Sequence, residues 1–95
     1  MIVEWDDRKA AANAKKHGVT FQEAATVLEH TLSITFRDPD HSSEEFRFLT
    51  IGLSSIGRIL MVAHTDRGDA VRLISARPAT RSERRFYEEG QPPES

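Results

Sequence analysis

The chain has 95 residues, of which 38% are hydrophobic and 29% are charged, and its formal net charge at pH 7 is −2. This size and balance predict a single globular domain over residues 1–90, followed by a disordered tail over residues 91–95. The sequence contains no cysteine, which excludes disulfides, thiolate metal sites and cysteine nucleophiles, and fits a cytoplasmic location. No apolar run reaches the roughly 20 residues that a membrane span needs, so we expect no membrane contact.

The N-terminal third predicts a short strand and two helices. An apolar start over residues 2–5 is typical of an edge strand. Asp6 is placed to cap a first helix, and Gly18 is the residue type that commonly ends a helix in the left-handed conformation. Thr20 and Glu23 have the spacing of a capping box, so a second helix is expected to begin after Thr20.

From Leu32 onward the hydrophobic pattern changes to the alternation of β-strands. The chain here predicts four strands, over residues 32–37, 46–52, 58–65 and 70–76. The last two are joined by DRGD, a hairpin signal because Gly68 can adopt a positive φ. Short turns between consecutive strands predict an antiparallel meander in an α+β fold, with the two N-terminal helices packed on the sheet and a C-terminal helix after it.

The segment RLISARPATRSERRFY, residues 72–87, is predicted to begin as a strand and end as the third helix. Thr80 and Glu83 form a second capping box, which places the helix start near Arg81. Between residues 58 and 85 there are seven arginines and three acids. This local excess of positive charge predicts an anion-binding side. The alternative is a solvated helix whose arginines pair with its own glutamates.

Five segments occur along the chain in the order EWDDRKAAANAKKHGVTFQEA, DPDHS, RFLTIG, HTDRGD and RLISARPATRSERRFYE. As an ordered set, from Glu4 to Glu89, they resemble the BrnT family of bacterial toxins. The resemblance implies a RelE-like fold and a ribonuclease that inhibits translation within a type II toxin–antitoxin system. Its partner would be a BrnA-type antitoxin with a ribbon-helix-helix part, through which the complex binds operator DNA. One departure is Pro78, where family members often carry a lysine.

The chemistry that fits these residues is metal-independent RNA cleavage. A base deprotonates the 2′-OH, an acid protonates the leaving oxygen, and cations hold the charge that builds on the phosphate. The sequence has no HExxH motif and no carboxylate–histidine cluster at ligand spacing, so we expect neither metal nor cofactor. His64 titrates near neutral pH and is the predicted proton-transfer group, although a hydrogen-bonded sheet histidine is an open alternative.

The arginines near the strand-to-helix join are the predicted phosphate ligands. Arg77 and Arg81 flank the join, where a helix N-terminus adds its own attraction for an anion, and they are predicted to be catalytic together with His64. Tyr87 could stack on a base or pack in the core. The full set of predicted RNA-binding residues is Arg58, Arg72, Arg84, Arg85 and Tyr87.

The predicted hairpin gives an expected geometry for these groups. If the turn is centred on residues 67–68, Arg77 pairs with Arg58 and His64 pairs with Val71. His64 and Arg77 then share a face but lie roughly 20 Å apart along the strand. A third helix that folds back over the sheet would close this gap by carrying its arginines toward His64.

Two alternatives accompany this interpretation. Without the fold-back, His64 lies beside Glu45 and Arg47, which form a possible second site. The function could also be that of a non-catalytic nucleic-acid-binding module that uses the C-terminal arginine cluster, or of a protein-interaction domain whose charges serve solubility.

Overall fold

The computed structural model of the chain describes residues 1–41 and 46–90. Glu45 and the predicted tail, residues 91–95, lie outside the described residues. A 3₁₀ turn, Pro39–His41, follows the second strand. The other elements, in chain order, are β1 (Ile2–Glu4), α1 (Asp7–His17), α2 (Phe21–Glu29), β2 (Ile34–Arg37), β3 (Arg47–Leu53), β4 (Ile59–Arg67), β5 (Ala70–Pro78) and α3 (Arg81–Gly90).

The five strands form one sheet in the order β1-β5-β4-β3-β2. The predicted antiparallel meander is confirmed for β2 to β5. At its far edge the sheet is mixed, because β1 lies parallel to β5, with Ile2 opposite Ala70. The two helices between β1 and β2 carry the chain from one edge of the sheet to the other. In the described part of the chain, no helix has the length and hydropathy needed to cross a bilayer.

The helix boundaries follow from local capping. The Asp6 carboxylate accepts hydrogen bonds from the backbone N–H groups of Arg8 and Lys9, at 2.8 and 3.1 Å. Gly18 ends α1 with a φ of 70°, a conformation that costs glycine little because it has no Cβ. The Thr20 hydroxyl accepts from the Glu23 N–H at 3.1 Å and starts α2.

The sheet separates two hydrophobic cores. The face covered by α1 and α2, called here the two-helix face, buries Val19, Phe21, Ala24, Val27, Leu60, Val62, Leu73 and Ala76. The opposite face, called here the α3 face, buries a smaller set, Ile51, Met61, Ala79 and Tyr87. Side chains alternate along a strand, so Leu60 and Val62 point to one face and Met61 to the other.

Asn13 fastens α1 to the sheet. Its amide nitrogen donates to the carbonyls of Ala76 and Val19, at 2.7 and 3.0 Å, and its amide oxygen accepts from the Ala76 N–H at 3.0 Å. The side chain is 6% exposed, so these three bonds satisfy a polar group that would otherwise be costly to bury.

The register of the β4–β5 hairpin differs from the expected one. Arg67 pairs with Ala70, so the turn is Gly68–Asp69, one residue later than predicted. Glycine at the first turn position with a φ of 62° fits a type II′ turn. The pairing also shifts between Ala63 and His64, which is the mark of a β-bulge.

Both shifts change the partners of the predicted site residues. His64 lies opposite Leu73 instead of Val71, and Arg77 lies opposite Met61 instead of Arg58. The predicted pairing is therefore wrong, because the turn forms around a different residue pair and β5 carries an extra residue at the bulge.

Candidate functional site

The start of α3 is fixed by a complete capping box. The Thr80 hydroxyl accepts from the Glu83 N–H at 3.2 Å, and the Glu83 carboxylate accepts from the Thr80 N–H at 2.8 Å. Ala79, directly before the cap, is 5% exposed and packs in the core of the α3 face. The join between β5 and α3 is therefore held by both capping and burial, as the sequence predicts.

Arg77 reaches from the end of β5 to this cap. Its Nη1 and Nη2 atoms donate to the two Glu83 carboxylate oxygens at 2.7 and 2.9 Å, a bidentate pair. The Arg77 guanidinium, together with the Thr80 N–H, lowers the pKa of Glu83 to about 2, and Glu83 in turn raises the pKa of Arg77. Arg77 thus pairs with a glutamate of α3 although it lies in β5, whereas the predicted alternative concerned arginines of the helix itself.

The remaining arginines of α3 are exposed. Arg84 donates to the Ala79 carbonyl at 3.2 Å, and Arg85 lies 4.0 Å from Glu89 in a pair whose members are both more than 70% exposed. Such a pair contributes little to stability. Arg81, at the first position of α3, forms no ion pair with any residue in the described ranges. It is a cation available to an external anion.

A cleft of about 680 Å³ opens between α3 and the α3 face of the sheet. Phe36 and Phe86 meet there edge to face, with ring centroids 6.3 Å apart, and Phe86 remains 51% exposed. The lining is formed by Ile34, Phe36, Asp38, Pro39, Asp40, Leu49, Met61, Arg77, Ser82, Glu83 and Phe86.

Sequence reasoning missed this cleft. A signal was present, because α3 offers only Phe86 and Tyr87 to cover the apolar side chains that alternate along β2 and β3.

Arg58 does not join the α3 cluster. Its Nε donates to Glu23 at 3.0 Å and its Nη2 donates to Glu23 and to the Gly18 carbonyl. The Ser54 hydroxyl donates to the same carboxylate at 2.7 Å. Arg58 and Ser54 together lower the pKa of Glu23, with the Arg58 hydrogen bond as the main cause. Arg58 therefore ties the β3–β4 turn to the junction of α1 and α2, and its predicted place beside Arg77 is wrong.

Two other predicted arginines also lie away from α3. Arg72 forms an ion pair with Glu4 across the β1–β5 edge, at 3.0 Å. Arg47 begins β3 opposite Thr65, and its predicted companion Glu45 is outside the described residues. By alternation, Arg47 and its partner Thr65 lie on the α3 face with Met61, and Arg72 lies opposite Thr65, near the hairpin end of the sheet and five residues before Arg77.

His64 is buried on the two-helix face, since it follows Val62 by two residues along β4. Its Nε2 lies 2.7 Å from the Thr50 hydroxyl, its ring stacks on Phe48 at a centroid distance of 5.9 Å, and its Nδ1 has no partner among the described residues. Burial lowers the pKa of His64, and the nearby Asp66 carboxylate offsets this only in part. The histidine is therefore neutral at pH 7.

The structure does not bring His64 and Arg77 together. Leu73, the partner of His64, precedes Arg77 by four residues, about 13 Å along a strand. The two side chains also lie on opposite faces, because Arg77 pairs with Met61 of the α3 face. The expected fold-back of α3 toward His64 is wrong, since α3 packs against the other side of the sheet.

Tyr87 belongs to the core. It is 8% exposed and packs with Ile51, Met61 and Ala79. A ring held in this way is not open to stack on an RNA base, so the predicted binding role of Tyr87 is replaced by the packing alternative. Its burial is what attaches α3 to the sheet.

A mixed sheet with two helices on one face and an arginine-bearing helix on the other defines a small α+β protein. A family model described as the ribonuclease toxin BrnT of type II toxin–antitoxin systems matches residues 5–83. The chain belongs to this BrnT family, and is therefore a ribonuclease toxin whose system includes an RNA substrate and an antitoxin.

A solved structure supports the same conclusion. The chain is similar to the ribonuclease toxin BrnT of Brucella abortus, known from a 1.1 Å crystal structure, with a TM-score of 0.67 and 26% sequence identity. The similarity covers 85% of this chain and 99% of the Brucella protein. A comparison with curated proteins gives no match.

Proposed function

We propose that this toxin is an endoribonuclease that needs no metal ion and that binds the scissile phosphate at the join between β5 and α3. The observation that carries the proposal is the position of Arg81, an exposed cation at the N-terminus of α3, four residues after Arg77, that forms no ion pair within residues 1–41 and 46–90. A helix N-terminus and two guanidinium groups are suited to the charge that builds on a phosphate during cleavage.

Arg77 retains donors for a phosphate although it pairs with Glu83. A guanidinium has five N–H donors. Two of them serve Glu83 and one reaches the Pro78 carbonyl at 3.3 Å, which leaves two for a ligand. Glu83 thus acts as a positioning residue: it holds the guanidinium fork of Arg77 in one orientation, and Arg81 supplies the charge that is not yet neutralised.

The proposal assigns the stabilisation of phosphate charge to arginines and not to a metal ion. Within residues 1–41 and 46–90, no group of three or more His, Cys, Asp or Glu side chains is arranged to hold a metal ion. Stabilisation of the transition state then rests on the arginines. A single preorganised donor of this kind typically contributes about 3 kcal/mol.

His64 receives a structural role in this proposal. It is neutral, buried and hydrogen-bonded to Thr50, whose hydroxyl is in turn 2.7 Å from that of Thr35. This network joins β2, β3 and β4 on the face opposite to the arginines. We therefore assign His64 to the stability of the sheet and not to proton transfer beside Arg77.

The family belongs to type II toxin–antitoxin systems. We propose that the partner is a BrnA-type antitoxin whose ribbon-helix-helix part binds operator DNA. We also propose that the fold is RelE-like, that the protein acts in the cytoplasm, and that RNA cleavage inhibits translation. The type II description of the family and the meander with helices on both faces support these assignments.

A non-catalytic nucleic-acid-binding module is the second candidate, and the separation of His64 from the arginines favours it. Purified toxin incubated with total RNA and EDTA distinguishes the two. Cleavage that persists and leaves 2′,3′-cyclic phosphate ends agrees with a metal-independent ribonuclease. RNA that is retarded but intact agrees with the binding module, and in either case affinity should fall steeply with salt.

A further inference from the structure

The cleft between α3 and the sheet has the character of a protein-binding site. Its volume of about 680 Å³ is in the range of ligand pockets, and its apolar wall includes Ile34, Phe36, Leu49 and Phe86. Phe86 is 51% exposed although it is one of the few apolar residues of α3. Exposed aromatic surface inside a concave site is the usual anchor of a protein interface.

The charges of the cleft disfavour a nucleic acid. Asp38 and Asp40 are among the lining residues, and the charge of Arg77, the only lysine or arginine among the described lining residues, is compensated by Glu83. Arg81, Arg84 and Arg85 are not among the described residues that line the cleft. A phosphate backbone would therefore meet apolar and acidic groups here.

We propose that this cleft is the docking site of the antitoxin, and that it takes an amphipathic segment with apolar anchors and a lysine or arginine facing Asp40. Apolar anchors match the wall, and a basic residue complements the two aspartates. This inference rests on the proposed toxin–antitoxin function, and it names the surface of the toxin that the partner covers.

The position of the cleft gives docking a direct consequence. The segment would contact Ser82, Glu83 and Phe86 of α3 and leave Arg81 for RNA. Glu83 forms a bidentate ion pair with Arg77. A partner that contacts Glu83 in the cleft would therefore also affect the orientation of Arg77 at the proposed phosphate site. Because Arg81 is not among the described lining residues, a substitution at Phe86 should weaken antitoxin binding without removing the charge that Arg81 offers to RNA.

The test measures the affinity of purified toxin variants for the antitoxin encoded beside the toxin gene, by isothermal titration calorimetry. Phe86→Glu should weaken binding about tenfold or more, and Asp40→Lys should weaken it several-fold. The matched control is Ile56→Glu, because Ile56 is 68% exposed in the β3–β4 turn and does not line the cleft. Circular dichroism and melting of each variant, with Phe86→Ala as a milder substitution, establish that the fold is kept.

The control should bind like the wild type. Equal affinity of the Phe86→Glu and wild-type toxins would overturn the proposal, and so would a Phe86→Glu toxin that loses RNA affinity while it keeps the antitoxin. Wild-type toxin that binds no antitoxin also overturns it. A wrong ribonuclease assignment gives a different result: the wild-type toxin would leave RNA intact in the EDTA assay and still bind the antitoxin with undiminished affinity.

Discussion

The segments that open α2 and α3 share one motif but differ in what their glutamates bind. In each, a threonine caps the helix and accepts from the N–H of a glutamate three residues later, Glu23 or Glu83. Each glutamate also binds an arginine through both of its oxygens, Arg58 in one case and Arg77 in the other. Only the second glutamate returns a bond to the backbone N–H of its capping threonine within the described residues.

Burial separates the two pairs. The Glu23 side chain is 8% exposed and shares its carboxylate with Ser54, whereas the Glu83 side chain is 26% exposed and borders the cleft. The Glu23–Arg58 pair therefore links the β3–β4 turn to the junction of α1 and α2. The second pair orients a half-exposed guanidinium at the end of β5, four residues before Arg81, which forms no ion pair with the described residues. A capping box predicts where a helix starts, and the environment of its glutamate decides whether the attached arginine serves the fold or a ligand.

The largest expected effect comes from removing Arg77, one of the two proposed phosphate ligands. Arg77→Ala should lower the RNA cleavage rate about 100-fold, the equivalent of about 3 kcal/mol, with the fold retained. Arg77→Lys should also be impaired, since an ammonium cannot form the fork that Glu83 holds. Single-turnover cleavage assays measure both, and full activity of Arg77→Lys would show that a point charge is sufficient.

Removing the glutamate of the structural pair should act on stability. Glu23→Ala should lower the free energy of unfolding by about 2–3 kcal/mol, because hydrogen bonds from Arg58 and Ser54 are lost while the half-exposed Arg58 regains some water. Urea denaturation of Glu23→Ala, Arg58→Ala and the double variant measures the coupling. Additive losses from the two single substitutions would mean that the pair does not act as a unit.

Acid should reveal the Glu83 pair. The pKa of Glu83 is about 2 in the folded state, against 4.5 for an ordinary glutamate. Since the folded value is the lower one, the stability from ionised Glu83 is present above pH 4.5 and is lost as the pH falls toward 2. The melting temperature of Glu83→Gln should therefore lie below that of the wild type near pH 6. The difference should shrink as the pH falls from 4.5 toward 2. A difference independent of pH would contradict the ion pair.

The smallest effect is expected from the caps. Thr80→Ala and Thr20→Ala should each cost about 1 kcal/mol of stability, because each removes a single capping hydrogen bond. Thermal melts followed by circular dichroism at 222 nm compare them. An unchanged melting temperature for Thr80→Ala would mean that α3 begins at another residue.

The local features of the fold could be predicted from the sequence, and the register of the β4–β5 hairpin could not. Caps and helix starts were predictable because Asp6, Thr20 and Thr80 act on backbone groups within three residues. The meander was predictable from alternation and short turns. The β4–β5 register was not predictable, because DRGD can form more than one two-residue turn and no local sequence pattern indicates the bulge beside His64.

The candidate site was predictable in composition but not in arrangement. Arg77 and Arg81 lie at the join where the sequence places them, and the Thr80–Glu83 spacing revealed the cap. The face on which α3 packs depends on Tyr87 and Ala79, two residues without a readable period. Because α3 packs on the face opposite His64, its arginines lie on the other side of the sheet from this histidine.

We propose that Arg81, which forms no ion pair with the described residues, supplies the positive charge that RNA cleavage requires. The direct measurement is the cleavage rate of Arg81→Ala toxin in EDTA, with Arg8→Ala as the matched control, because Arg8 is another exposed arginine in the first turn of a helix. Arg81→Ala should lower the cleavage rate about 100-fold and Arg8→Ala should leave it unchanged, with antitoxin affinity kept in both. Equal cleavage by the two variants would contradict it.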